Sequence, residues 1–122
     1  LPIPASQIID WEKQTAHLSH KMIALRAGIG WIGRNNLLVH PEFGSKIRLA
    51  TILTDMPLET NKPVEKNCAN CKKCIEICPV SAIKESYKDW NKTACLEKLK
   101  YFAKVHNVGQ YICGLCVKVC QP

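Results

Sequence analysis

Long apolar runs are missing from this sequence. No stretch approaches the roughly 18 to 20 residues that a membrane-spanning helix needs, and no basic-then-apolar leader with a small-residue cleavage site is found. The expectation is a non-secreted, cytoplasmic protein with no membrane partner. Aromatic residues are few, at 7%. Low-complexity tracts are absent, and nothing repeats apart from cysteine half-motifs, which excludes solenoid and linker architectures. A length of 122 residues leaves no room for two full domains. The chain opens on Leu1 rather than methionine and ends at Pro122, close behind its last cysteine, so a piece of something longer is expected.

What the sequence does hold is cysteine: eight, all between residues 68 and 120. Cys68, Cys71, Cys74 and Cys78, followed by Pro79, reproduce the Cys-x2-Cys-x2-Cys-x3-Cys-Pro run of bacterial ferredoxins without a gap. Two-residue gaps let a tight loop turn three thiolates toward one iron–sulfur cube. The fourth cysteine, one helical turn past Cys74, is carried toward a neighbouring cube. Cys113, Cys116 and Cys120 repeat the last three cysteines of that run, and Cys95 is the remaining candidate for the missing first. The division that uses every cysteine once puts Cys68, Cys71, Cys74 and Cys120 on one [4Fe-4S] cluster. Cys78, Cys95, Cys113 and Cys116 then hold the other. A sequential division, with Cys78 and Cys120 exchanged, stays open. Zinc fits less well, because the gap from Cys71 to Cys113 exceeds ribbon spacing and the Cys-Pro ending has no role there. Disulfides lack an oxidising compartment. Ile75, Ile77, Val80, Ile112, Leu115 and Val119 flank the ligands and would shield the cubes from water.

Acidic side chains are outnumbered, ten against seventeen Lys and Arg, for a formal charge of +7. Residues 1–60 carry six basic and five acidic side chains, whereas residues 61–122 carry eleven and five, net +6. An oxidised cube with four thiolates has a charge of about −2, so two cubes would bring the second half to about +2. Much of the basic excess therefore balances cluster charge. A docking face for an acidic electron donor and contact with RNA are the other two readings, and Lys72 and Lys73, inside the cysteine loop, fit all three.

Ahead of the cysteines, Ile8, Trp11, Leu18, Met22 and Leu25 recur at helical spacing, with Asp10, Glu12, Lys13, Gln14 and Lys21 opposite. The spacing predicts a helix from Ser6 to Ala27, with Ser6 as N-cap, Gly28 as the left-handed residue beyond its end, and Ser19 as a point where it could divide in two. Asn36 to His40 and Lys46 to Thr54 predict two strands joined by the turn residues Pro41 to Ser45. A helix and two strands cannot cover one another fully, so residues 1–64 read as a partial α/β layer. The polar stretch from Pro57 to Asn67 marks a boundary, with a cysteine domain at 65–122; the class is α+β.

Gly28-Ile29-Gly30-Trp31-Ile32-Gly33 satisfies G-x-G-x-x-G literally, and Asp55 follows at a suitable distance. A dinucleotide fingerprint must follow a strand and open a helix, and this one follows a helix and opens the strand at Leu37. A tight backbone turn packed against something flat or bulky remains, with Trp31 as a core or loop anchor before a cofactor platform. His17 and His20 could share a metal or act as acid and base, with solvated or capping roles the simpler reading. His40 and His106 show no partner.

The stretch AGIGWIGRNNLLVHPEFGSKIRLATILTD, residues 27–55, followed by eight cysteines with the displaced Cys95, resembles the epoxyqueuosine reductase family, cobalamin and iron–sulfur proteins related to reductive dehalogenases. The resemblance is to the C-terminal part of such proteins. It implies a nitroreductase-like α/β domain that holds cobalamin, with 1–64 a part of it, and a bacterial-ferredoxin-like double [4Fe-4S] domain at 65–122 that feeds it electrons. It implies Gly28, Gly30, Trp31, Gly33, Gly44 and Ser45 on the cobalamin side, and reduction of an epoxide on a modified base in tRNA as the family's reaction. The first functional expectation is an electron-transfer segment of a reductase, passing single electrons through two [4Fe-4S] clusters from a ferredoxin- or flavodoxin-type donor. The alternative is a cobalamin-dependent, epoxyqueuosine reductase-like enzyme acting on a modified tRNA base or another small electrophile. No catalytic residue is assigned.

Overall fold

The computed structural model describes residues 2–3, 10, 12–13, 15–16, 18–107 and 109–121. Short helices and short antiparallel strands are mixed along the chain: β1 Pro2–Ile3, α1 His20–Arg26, β2 Trp31–Ile32, β3 Leu38–Val39, β4 Thr51–Ile52, α2 Lys73–Glu76, α3 Lys92–Val105 and α4 Leu115–Lys118.

Among the described residues, the helix predicted over 6–27 survives only as α1. Ser19 stands at φ −92°, ψ 94° as its N-cap, and its end closes with Gly28 N–H on Leu25 O (3.2 Å) and Ile29 N–H on Ala24 O (3.0 Å). Gly28 has φ +71°, the left-handed residue that this pair of bonds requires. Upstream, Asp10 and Thr15 form an antiparallel bridge, and Asp10 Oδ1 accepts from Lys13 N–H at 2.9 Å. A short carboxylate that bonds the backbone three residues on bends the chain where hydrophobic spacing alone suggested continuation. Ser6, Ile8, Trp11, Gln14 and His17 lie outside the described residues.

The strand pairing also differs from expectation. β3 does fall inside the predicted strand at 36–40, but its partner is β2, with Trp31 opposite Val39 and Ile32 opposite Leu38. The glycine motif therefore contains a strand. Asn36, at φ +59°, turns the hairpin. The predicted strand at 46–54 contributes only β4, which pairs with β1 through Pro2–Ile52 and Ile3–Thr51. The reason lies in the turn between them. His40 and Gly44 exchange backbone hydrogen bonds of 2.8 and 3.0 Å, and the His40 Nδ1 accepts from the N–H groups of Glu42 and Phe43. This small closed loop aims Gly44 and Ser45 at the second half of the chain instead of returning 46–50 along β3.

No helix or strand occurs from 53 to 72. Beyond it, α2 packs against α4. α3 is capped by Asn91, whose Oδ1 accepts from Ala94 N–H at 3.0 Å, while Asn91 N–H donates to Ala82 O at 2.8 Å and ties the helix start to the loop after Cys78. Among the described residues the buried apolar ones are Ala24, Trp31, Leu38, Val39, Ala82 and Ile83, and no large side chain is fully buried. So thin a core leaves much of the fold's cohesion to other contacts.

Candidate metal centre

The loop from Cys68 to Cys74 is wound by Cys71 N–H on Cys68 O at 2.9 Å, with Ala69 at φ +43°. An arginine from the other half of the chain holds it. Arg34 Nη2 donates to Ala69 O at 2.8 Å, Nη1 to Cys71 O at 2.5 Å and Nε to Glu85 O at 3.0 Å. The Glu85 carboxylate lies 2.6 Å from Lys72 and 3.3 Å from Arg34. Lys72 above all, then Arg34, holds it below the usual carboxylate range.

The eight thiols fall into two neighbourhoods. Burial first, then Cys68, Cys120, Cys116 and Cys71, pushes the Cys74 thiol up to about 11. Burial also raises Cys95, whose thiol neighbours are Cys78 and Cys113. It raises Cys116 as well, with Cys113, Cys95 and Cys78 beside it. The grouping crosses the sequence: Cys120 stands beside Cys74 with Cys68 and Cys71, and Cys78 with Cys95, Cys113 and Cys116, while Cys116 also neighbours Cys74 and joins the two groups. A cavity of about 630 Å³ opens on that second set and is walled by Val80, Leu99 and other apolar residues. Among the described residues no three His, Cys, Asp or Glu side chains converge on a single metal ion. Tetrahedral zinc would draw its thiolates to within about 4 Å of one another, whereas a cube with an iron at each corner keeps its four thiolates apart. Eight thiols in two adjacent sets fit two such cubes. Sulfur is also met by donors: Ala82 N–H points at Cys78 Sγ (3.3 Å) and Ser45 Oγ at Cys120 Sγ (3.2 Å).

The glycine motif backs onto these loops. At Gly28, Gly30 and Gly44 the space a Cβ would take is filled by the carbonyls of Lys62, Val39 and Cys120. At Gly33 a Cβ would stand 3.7 Å from Cys68 Sγ. The flat object against which this turn packs is thus the chain itself. These glycines leave no cradle for a corrin, and the described residues do not by themselves fit the cobalamin that the resemblance implies. Trp31 is 7% exposed, and its Nε1 is buried with no hydrogen-bond partner among the described residues. Ser45, expected on the cobalamin side from the sequence, has its Oγ 3.2 Å from Cys120 Sγ. His20 Nδ1 meets Thr51 Oγ1 at 2.7 Å, and His40 stacks on Phe43.

Sequence reasoning missed Arg34, Asn35 and Glu85. Arg34 and Asn35 directly follow the last motif glycine, and a charged residue beside so tight a turn was the available signal. Several lysines are engaged within the chain. Lys21 donates to Asn36, Lys92 to Lys13 O and Lys100 to Glu97, while Lys98 lies over Tyr101 and Phe102. Among the described residues no helix is long and apolar enough to cross a membrane.

No family profile matches the chain. It is 36% identical over 115 residues to the epoxyqueuosine reductase of Listeria monocytogenes, covering 87% of this chain and 30% of that protein. It is 31% identical over 115 residues to that of Synechocystis, covering 87% and 40%. The structure of epoxyqueuosine reductase from Streptococcus thermophilus superposes with a TM-score of 0.64 at 27% identity, over 83% of this chain and 29% of that one. A crystal structure of epoxyqueuosine reductase with an epoxyqueuosine-modified tRNA stem loop gives 0.63 at 28%, over 86% and 30%. The chain thus spans about a third of the length of these relatives. Likeness over most of its own length, in sequence and in backbone, makes it a member of the epoxyqueuosine reductase-like family, matching part of the length of that family's proteins.

Proposed function

We propose that this chain is the cluster-bearing part of an epoxyqueuosine reductase-like enzyme, and that it delivers single electrons to the reduction of a modified base in tRNA. The observation that carries the reading is one cavity lined by Cys78, Cys95, Cys113 and Cys116, with Cys74 standing beside Cys68, Cys71 and Cys120. Cys68, Cys71, Cys74 and Cys120 would hold one [4Fe-4S] cluster, and Cys78, Cys95, Cys113 and Cys116 the other. When bound, the clusters supply one-electron transfer. The protein's part is to place and tune them. Arg34 fixes the peptide planes of the 68–71 loop, Ala82 N–H and Ser45 Oγ donate to ligand sulfurs, and Val80 and Leu99 keep water from the second set. The likeness to reductases, one of them seen with a modified tRNA stem loop, favours the enzyme over a free-standing electron carrier. A ferredoxin- or flavodoxin-type protein is the proposed donor.

The test is anaerobic purification of the full-length gene product followed by iron, sulfide and corrinoid analysis, and turnover on epoxyqueuosine-modified RNA with a reducing donor. About eight iron and eight sulfide per chain are expected. Zinc without sulfide would refute the clusters. Clusters that reduce acceptor dyes but never the modified base would leave only the carrier.

A further inference from the structure

We propose that Asn35 and Ser45 set the reduction potential of one cluster of the two, that of Cys68, Cys71, Cys74 and Cys120, through a hydroxyl hydrogen bond onto the Cys120 sulfur. The inference rests on the two-cluster reading and adds to it a pair of positioning residues.

The geometry leaves the hydroxyl proton one destination. Ser45 Oγ accepts from Asn35 Nδ2 at 3.0 Å, so that side of the oxygen is taken. The Asn35 amide cannot flip without loss, because its Oδ1 accepts from Leu37 N–H at 3.3 Å. What remains for the single Ser45 proton is Cys120 Sγ at 3.2 Å. Both Asn35 and Ser45 are 5% exposed, so the bond is largely screened from bulk water and is stronger than at the surface. The approach is built into the backbone: Gly44, at φ +61°, has the Cys120 carbonyl where a side chain would begin.

A hydrogen bond donated to a ligand sulfur stabilises the more negative, reduced cluster and so raises its potential. The other set is served differently. There the Cys78 sulfur takes a peptide N–H, from Ala82 at 3.3 Å, which no side-chain substitution removes. Two clusters of one chemical kind would thus be held at different potentials by a side-chain hydroxyl on one of them.

The experiment is an EPR-monitored redox titration of the anaerobically purified full-length protein, wild type against Ser45→Ala and Ser45→Thr. Ser45→Ala should lower the midpoint of the first cluster alone. At a fixed poise its reduced-to-oxidised ratio should fall three- to tenfold, or about 28 to 59 mV at 59 mV per decade for one electron. Ser45→Thr, which keeps the hydroxyl, should restore it. Both midpoints unmoved, or both moved equally, would overturn the proposal. If Ser45→Ala fails to hold its cluster, the wild-type protein decides. Exchange into D2O should shift the iron–thiolate stretching band of the first cluster, and an unshifted band would overturn the proposal. Absence of iron and sulfide from the wild type would instead refute the cluster reading on which it stands.

Discussion

Replacing Arg34 by alanine should loosen one cluster and spare the other. The guanidinium makes three charge-assisted hydrogen bonds to carbonyls, two on the 68–71 loop and one on Glu85, and its side chain is 16% exposed. Each such bond is worth about 1.5–3 kcal/mol where its loss orphans a group. The carbonyls freed here belong to exposed residues, so water replaces much of the bond and the sum falls to about 2–4 kcal/mol. The exposed Glu85 pair adds little. A cost of 2 kcal/mol raises the population of the opened loop about 30-fold at 1.4 kcal/mol per decade. The assay is chelator-driven cluster loss from the anaerobic holoprotein, with each cluster followed by its own EPR signal. Release of the first cluster should accelerate at least tenfold while the second stays near its wild-type rate. Arg34→Lys, which keeps the charge but not the fork, should fall between. Equal acceleration of both clusters, or of neither, would refute the argument that Arg34 acts on the 68–71 loop.

Crossed ligation separates from sequential ligation by double substitution. Cys71→Ala with Cys120→Ala should cost one cluster by iron analysis, whereas Cys71→Ala with Cys78→Ala should damage both, and the reverse result would establish the sequential division. Gly44→Ala should abolish the first cluster in the purified protein, because the new Cβ meets the Cys120 carbonyl at a residue with φ +61°; full iron content would show that the turn can shift at no cost. Cluster reconstitution should tighten as pH rises from 7 toward 9. Ligation requires thiolates, and burial with neighbouring cysteines raises the Cys74 thiol to about 11, so the protonated form that must be displaced persists throughout that range. A flat pH profile of iron uptake would count against this.

The cysteine run was legible because its ferredoxin spacing is written in the letters themselves, and the proposed crossing rests on where a helical turn carries Cys78. The left-handed Gly28 was legible for the same local reason. The hairpin was not. Trp31-Ile32 is only two residues long, too short to show alternation, and its pairing with Leu38-Val39 depends on Asn36 taking a positive φ that asparagine merely tolerates. Among its described residues the predicted helix over 6–27 breaks before Ser19, because apolar spacing carries no record of the Asp10 side chain closing a turn. Arg34 stood out only as a charge beside a tight turn, and what it holds was hidden for a deeper reason. Its partners are backbone carbonyls distant in the sequence, and a carbonyl has no letter in the sequence.

The placement of Cys120 has a consequence for synthesis on the ribosome. In the crossed arrangement three ligands of the first cluster are complete once residue 74 is made, and the fourth arrives only with residue 120. At about 5–20 residues per second, the three thiols wait roughly 2 to 9 seconds for their partner. The second set begins later, at Cys78, and is complete by Cys116, so the cluster whose loop is made first is the last that can be closed. Under the proposed crossing the clusters would not close in order from the N-terminus onward, and the nascent chain would need a period in which reduced thiols are protected from oxidation and from stray metal.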